Sequence, residues 1–287
     1  NGIGIDVFFG GGPEPFLALG DKHLLMPYPA ASNVLAGIPP RTAATDIYDE
    51  HHAWFGAALS SFGILQNLRV QQRLGLPHAA RWEDLARTNC FGWVGAGDPR
   101  NSGTMNNMYE AFLQAYGWEK GWRLLTEISG NVRQFDRLST TTAKDASLGQ
   151  VAYSFAIDYF GFIQIAAAGR TNLELKLPED FTAVSPDGIA ILKGAPHPVL
   201  AGRFIEFVLG EEGQRIWYLP KGHPDGPKEH SIERLAIRPD FYERYRGISP
   251  VDINPFALQQ SYRYDSRLAR KRRDIVRSLF GAILVDV

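Results

Sequence analysis

Apolar residues fall along this chain in two patterns: short continuous runs ended by glycine or polar turns, and recurrences at helical spacing. Ile3 to Phe9 is a short apolar run closed by Gly10-Gly11-Gly12, which predicts a buried parallel strand. Pro13 then suits the first turn of a helix, where its missing N–H would be unsatisfied anyway, and Phe16, Leu17 and Leu19 give that helix an apolar side. Ala53 to Leu65 is small and apolar, broken by Ser60, Ser61 and Gly63, and predicts a buried strand with a polar interruption. "LPHAARWEDL", from Leu76 to Leu85, predicts a turn and a short helix, and Phe91 to Ala96 a further strand. After "GDPRNSGT", Met105, Met108, Phe112, Ala115 and Tyr116 recur on one helical face, with Gly117 as a natural stop. Trp118, Trp122, Leu125 and Ile128 mark a second helix, and Val151 to Ile157 a strand ending in Asp158-Tyr159. "FTAVSPDGIAILKGAP" reads as two strands with a turn at Pro186-Asp187-Gly188. A helix from Pro198 carries Leu200, Phe204, Phe207 and Val208 and ends at Gly210. A Pro/Gly-rich stretch follows from Pro220 to Pro227, and a basic amphipathic helix runs from about Ser266 to Leu284.

Alternating strands and helices predict an α/β fold with mainly parallel sheets, in which ligands bind beyond the carboxyl ends of strands. Four polar turns follow apolar strand-like runs: Gly10–Gly12, Asp98–Thr104, Asp158–Tyr159 and Ser60–Ser61.

Composition narrows the classes. The 287 residues suffice for one large or two ordinary domains, and the 45% hydrophobic content for a sizeable core. A formal charge of −1 implies no bulk attraction to nucleic acid. No apolar run approaches the roughly 20 residues of a membrane span. Cys90 is the only cysteine, so no intrachain disulfide forms.

The "DPRNSGT" turn is the sharpest candidate site. Asn101 or Ser102 can cap the following helix, leaving the amides of Gly103, Thr104 and Met105 directed off its positive end, where an anion is favoured. Ser102 and Thr104 add hydroxyl donors, Gly103 permits close approach to the backbone, and Arg100 adds charge. An ordinary capped helix needs no ligand and would carry the same residues. Gly10-Gly11-Gly12 could cradle a ligand or simply form a tight turn; it matches neither G-x-G-x-x-G nor a P-loop. "STTT" at Ser139 to Thr142 reads as a solvated loop or cap, and Asp187 as a turn residue before Gly188. Adjacent His51-His52 diverge on any regular element, and no zinc motif or G-x-S-x-G elbow is present. Cys90 reads as a core residue. Arg270, Lys271, Arg272, Arg273 and Arg277 read as a solvated helix face, with docking to an acidic partner or lipid surface as the alternative.

Taken in order, "DVFFGGGPEPFLALGDKHLLMPY", "RWEDLARTNCFGWVGAGDPRNSGT", "YGWEKGWRLLTEISGNV", "LGQVAYSFAIDYF" and "SPDGIAILKGAPHPVLAGRFIEFVLGEEGQRIW" resemble the solute-binding proteins of bacterial ABC importers. The branch is that of ferric-iron, thiamine, sugar-phosphate and phosphonate binders, and the resemblance spans about residues 5 to 218. It implies a two-lobed type 2 periplasmic-binding-protein fold whose lobes are joined by crossing strands and hold ligand in a cleft. Residues 1–60 and 176–220 would form lobe one and 61–175 lobe two, with 221–287 as a C-terminal extension. In this family a strand–helix–strand unit precedes the "DVFFGGG" strand, so the first lobe is expected to lack its N-terminal unit here.

The resemblance also implies ligand-binding roles for Gly10, Gly11, Gly12, Ser61, Arg100, Ser102, Gly103, Thr104, Asp158 and Tyr159. The expected ligand is a phosphorylated or phosphonate compound, or a carboxylate. Ferric-iron members carry two successive tyrosines where this chain reads Tyr159-Phe160, and phenylalanine has no oxygen to donate. Iron is therefore the second reading, with Tyr159 and Asp158 as its metal ligands. No cofactor is expected, the partner would be a membrane permease, and the protein would be a periplasmic or extracytoplasmic monomer, with a lipid anchor left open and its signal peptide removed. A ligand-sensing ectodomain and a cleft enzyme are the competing classes; no nucleophile–base pair supports the enzyme.

Overall fold

The computed structural model describes residues 4–287, so Ile3, at the start of the first predicted strand, lies outside the described residues. Two compact units emerge. One contains the chain up to Ser60 together with Val184–Gln259; the other contains Ser61–Ala183 and Gln260–Val287.

In chain order, β1 (Val7–Phe9), α1 (Pro13–Asp21), β2 (Leu25–Met26) and α2 (Ser32–Leu35) lead to β3 (Phe55–Asn67), which begins in the first unit and ends in the second. The second unit continues with α3 (Leu68–Leu74), β4 (Val94–Gly97), α4 (Gly103–Tyr116), α5 (Trp118–Ser129), β5 (Val132–Asp136), α6 (Ser139–Leu148), β6 (Tyr153–Ile157), α7 (Asp158–Ala168) and β7 (Leu173–Lys176). β8 (Thr182–Leu192) returns to the first unit, which adds α8 (Pro198–Leu209), α9 (Glu211–Tyr218) and α10 (Asp240–Arg244). β9 (Ser261–Tyr262) and α11 (Ser266–Phe280), prolonged by a π-helical turn at Gly281–Val285, belong to the second unit. Among the described residues no helix is long and apolar enough to cross a membrane.

Within the first unit, β1 and β2 both pair antiparallel with β8, at Phe8↔Ala190 and Leu25↔Leu192; β1 is thus not the buried parallel strand that its apolar run predicts, because β8 is its partner and Phe9 stays exposed. Phe16, Leu25, Trp54 and Ala190 form one cluster of its core, and Ile47, Leu59, Ile205 and Phe241 are buried elsewhere in the same unit. Buried Gln214 satisfies all its polar atoms: its amide donates to the Ala57 and Val208 carbonyls at 2.7 and 2.8 Å, and its carbonyl accepts from Ile237 N at 3.0 Å. These bonds tie the segment after Pro220, which the sequence left undefined, onto β3 and α8. The last residues of that segment behave differently, since β9 pairs with β8 at Ala183↔Tyr262 within the second unit.

"FTAVSPDGIAIL" is one strand of 11 residues, not two strands and a turn. Pro186 packs over Gly56, where any Cβ would stand 2.9 Å from the proline Cβ. Asp187 is ion-paired with Arg234 and accepts from Ser60 Oγ at 3.2 Å. Gly188 lies against the Phe16 ring with no room for a side chain. Each of the three residues that signal a turn locally is held extended by a distant partner. Similarly, the predicted strand at Phe91–Ala96 shrinks to Val94–Gly97, because Thr88–Cys90 winds into a 3-10 turn.

In the second unit β6, β4 and β5 run parallel, with β4 in the middle, and β3 pairs antiparallel with β6 at Phe62↔Ile157. All thirteen residues of β3 are buried. The core stacks Trp82 on Phe155 (5.0 Å between centroids), and the Trp82 indole donates to the Phe181 carbonyl at 3.0 Å. α11 is not merely a solvated basic face. Val276 and Phe280 are buried, Phe280 stacks on Tyr109 at 4.3 Å, and Arg272 lies over the Trp118 ring at 4.9 Å.

Candidate functional site

Three parallel strands of the second unit end in aspartates. β4 runs into Asp98, β5 ends at Asp136, and β6 runs into Asp158. A helix follows each, so this end of the sheet gathers acidic side chains and helix N-termini together. How each carboxylate is used decides what the site can hold.

Asp98 is consumed by its own turn. Its carboxylate accepts from Arg100 N at 2.9 Å, from Arg100 Nε and Nη2 at 3.0 and 2.8 Å, and from Asn101 Nδ2 at 3.1 Å. Burial works to raise this carboxyl, but the Arg100 hydrogen bonds outweigh it and hold it below the usual carboxylate range. The Asp98 amide donates to the Asp136 carbonyl at 2.8 Å, anchoring the turn on β5. Arg100 is equally committed. Its other face pairs with Asp286 at 2.7 and 2.9 Å, and Arg277 donates to its carbonyl. The residue proposed from sequence as a ligand-binding charge is thus held between two carboxylates.

Asp158 opens α7 and is fully buried. One oxygen accepts from both Ser61 N (2.6 Å) and Ser61 Oγ (2.9 Å); the other accepts from Tyr159 N at 2.7 Å. The structure brings Ser61 and Asp158 together, as two of the expected site residues, but joins them to each other. Tyr159 is half-buried, with its ring 4.2 Å from that of Phe160.

The N-terminus of α4 is arranged differently. Ser102, not Asn101, is the cap: its Oγ accepts from Met105 N at 3.3 Å, and Asn101 turns back to Asp98. A hydroxyl that accepts one hydrogen bond still has its proton to donate. The amides of Gly103 and Thr104 sit in the first turn, where no preceding helical carbonyl can receive them. Gly103 is exposed, and a Cβ built there would meet nothing within 4 Å. The helix is anchored behind this end by the Tyr109 hydroxyl, which donates to the Gly97 carbonyl at 2.9 Å. Two amides free of helical carbonyls, two hydroxyls and open space at the positive end of a fourteen-residue helix are the chemistry that favours an oxyanion.

The first unit holds Gly10, Gly11 and Gly12. Gly10 and Gly11 have φ of 96° and 83°, a region closed to most side chains, and Gly12 begins α1 in extended backbone. Gly10 N donates to the Gly188 carbonyl at 2.8 Å and Gly188 N to the Gly11 carbonyl at 3.0 Å, so much of this turn serves the sheet. Next along β8, Asp187, Arg234 and Ser60 form a polar cluster, with Arg234 Nη2 3.0 Å from Ser60 Oγ. Sequence reasoning missed Arg234. Its only signal was the charged pair Glu233-Arg234 inside the otherwise apolar stretch Ile232 to Ile237, whose Leu235, Ala236 and Ile237 are fully buried. "STTT" opens α6, where Thr142 Oγ donates to the Ser139 carbonyl at 2.8 Å. Cys90 is buried, and burial pushes its thiol above the ordinary value.

Comparison with known proteins gives this arrangement a context. Residues 6–230 match the family model described as bacterial extracellular solute-binding protein. The phosphoglycerate transport regulatory protein PgtC of Salmonella typhimurium is 31% identical over 230 residues, 75% of this chain and 53% of PgtC. An Fe(3+)-binding periplasmic protein of Serratia marcescens is 25% identical over 219 residues, 74% of this chain and 60% of that protein. The chain thus spans about half the length of PgtC. Among solved structures, the periplasmic binding protein AfuA from Actinobacillus pleuropneumoniae, with fructose-6-phosphate bound, superposes with a TM-score of 0.71 at 19% identity, covering 97% of this chain and 82% of its own. Iron-bound HitA from Pseudomonas aeruginosa gives 0.69 at 19%, covering 96% and 82%. At such identities the structures establish the shared fold.

Proposed function

The chain belongs to the bacterial extracellular solute-binding protein family, and on that premise we propose that it captures a small oxyanion-bearing solute at the N-terminus of α4 and delivers it to an ABC permease. The family is one of binding proteins, not enzymes. The solute is a phosphorylated or phosphonate compound, or a carboxylate. One observation carries this reading: Ser102 caps α4 while Gly103 leaves the helix end open, so that backbone amides, hydroxyls and the helix dipole converge on one unfilled place. PgtC and sugar-phosphate-bound AfuA support a phosphate ester as the first class to test.

Ferric iron is the second reading. Tyr159 supplies one phenol at the start of α7, and the Serratia protein and HitA bind iron. Both carboxylate oxygens of Asp158 are already engaged, which leaves the phenol with less anionic support than a hard Fe(III) ion requires.

Calorimetry with fructose-6-phosphate, 3-phosphoglycerate, an alkylphosphonate, a dicarboxylate and ferric citrate, together with native mass spectrometry of freshly purified protein, tests both readings. Binding of a phosphate ester or another oxyanion that is lost in Ser102→Ala/Thr104→Ala supports the first. Stoichiometric iron lost in Tyr159→Phe replaces it with the second.

A further inference from the structure

Charge is most concentrated in this molecule along α11. Residues 263–280 hold seven basic and two acidic side chains, while the whole chain carries a formal charge of −1, so the remainder is acidic overall. The inward face of the helix is committed to the fold. Ala269, Val276 and Phe280 are buried, Arg272 lies over the Trp118 ring, and Arg277 donates to the Arg100 carbonyl. The outward face is ordered. Every fourth residue from Arg267 is exposed, and the row reads Arg267, Lys271, Ile275, Leu279, Ile283. That spacing makes one ridge along a helix, so two cations lead directly into three apolar side chains. Ile275 is 54% exposed, Leu279 38% and Ile283 48%.

Locally this arrangement works against the helix. Asp265 caps α11, but the first turn holds no acid, and Arg267 stands there at the positive end of the dipole, where a cation is disfavoured. Arg267 and Lys271 are one turn apart, the spacing at which like charges repel. Among the described residues neither of them forms an ion pair, nor does Arg273. A solvated helix face gains by alternating acids with its cations; on this ridge apolar residues take the place of the acids. The electrostatic cost falls against an anionic surface, and the apolar half gains only where it leaves water. An acidic protein face would pair with the cations but offer charge to Ile275, Leu279 and Ile283. The headgroup layer of a bilayer accepts both halves, because its phosphates lie directly above hydrocarbon.

We propose that α11 docks the second unit on an anionic phospholipid surface, with Arg267 and Lys271 against lipid phosphates and Ile275, Leu279 and Ile283 at the edge of the hydrocarbon. A solute-binding protein held there meets its permease by diffusion in two dimensions. The docking does not depend on which solute the start of α4 takes.

The test floats the full chain on vesicles of phosphatidylcholine, alone or mixed equally with phosphatidylglycerol. Wild type binds the mixed vesicles and not the neutral ones. Arg267→Gln/Lys271→Gln weakens binding about thirtyfold and Ile275→Ser/Leu279→Ser about tenfold. Both variants keep the wild-type melting temperature, because all four side chains are exposed. Equal binding to the two kinds of vesicle, or none to either, overturns the proposal, as does mixed-vesicle binding that neither variant weakens. Loss confined to the charge variant, with polyglutamate bound as tightly as the mixed vesicles, overturns it in favour of an acidic protein partner. Should a variant fail to fold, an environment-sensitive dye on Ser278→Cys, an exposed position of the same helix, decides; Cys90 is buried and escapes the label. A blue shift on the mixed vesicles alone supports docking, and an unshifted spectrum overturns it.

Discussion

One carboxylate oxygen of Asp158 receives both the backbone amide and the hydroxyl of Ser61, at 2.6 and 2.9 Å, across ninety-seven residues of sequence. The contact joins the middle of β3 to the first residue of α7 at the point where β3 and β6 pair. The carboxylate expected from sequence to face a ligand instead holds the strand end in register.

Asp158 is therefore expected to govern stability. Asp158→Ala orphans a buried amide and a hydroxyl together and should cost about 3 kcal/mol. Ser61→Ala removes only the hydroxyl bond and should cost about 1 kcal/mol. Urea unfolding of the three proteins gives both values. Equal costs would mean that the hydroxyl, not the carboxylate, organises the contact.

At the α4 terminus, stability and binding should separate. Ser102→Ala/Thr104→Ala is expected to lower oxyanion affinity about tenfold or more, since hydrogen bonds to charged groups exceed ordinary ones. The lost cap should cost only about 1 kcal/mol of stability. Gly103→Leu should leave the melting temperature almost unchanged, because nothing lies within 4 Å of the added Cβ, yet fill the place proposed for the ligand. Calorimetry beside thermal melts reads both; unaltered affinity in both variants would remove the site from α4.

Gly188 should show the opposite behaviour. A Cβ there overlaps the Phe16 ring in the core of the first unit. Gly188→Ala is expected to destabilise by about 2 kcal/mol through overpacking. Its denaturation midpoint, set against that of Gly103→Ala, which should be near neutral, measures the contrast.

Asp98 should shape the acid limb of stability. Its folded pKa is depressed, so its contribution is complete above the unfolded carboxylate value of about 3.9 and is lost as pH falls through the lower folded value. Asp98→Asn should melt below wild type at pH 7, and the two should converge as pH falls through the depressed folded value and wild type is also protonated. Melting temperatures from pH 2 to 7 test this; parallel curves would show that the Arg100 pairing has no weight.

Local chemistry was legible without any structure. The helical face of Met105, Met108 and Phe112, the cap beside Gly103, the glycine stop at Gly117 and the strand before Asp158 all depend on residues within a few positions of one another. Backbone geometry and capping act over that range, so the sequence by itself determined the α/β order and the capped start of α4. It also carried the family, through several short motifs in one order. The fate of the polar groups was decided elsewhere. Asp187 looks like a turn residue until Arg234 pairs with it, Asp158 looks available until Ser61 occupies it, and Arg100 looks like a ligand clamp until Asp286 closes on it. Asp136 and Asp145 carry no motif and become neighbours only when α6 folds back on β5. Burial and partnering depend on which distant segments pack together, and a charge in a sequence has neither a partner nor a dielectric environment until the tertiary fold supplies both.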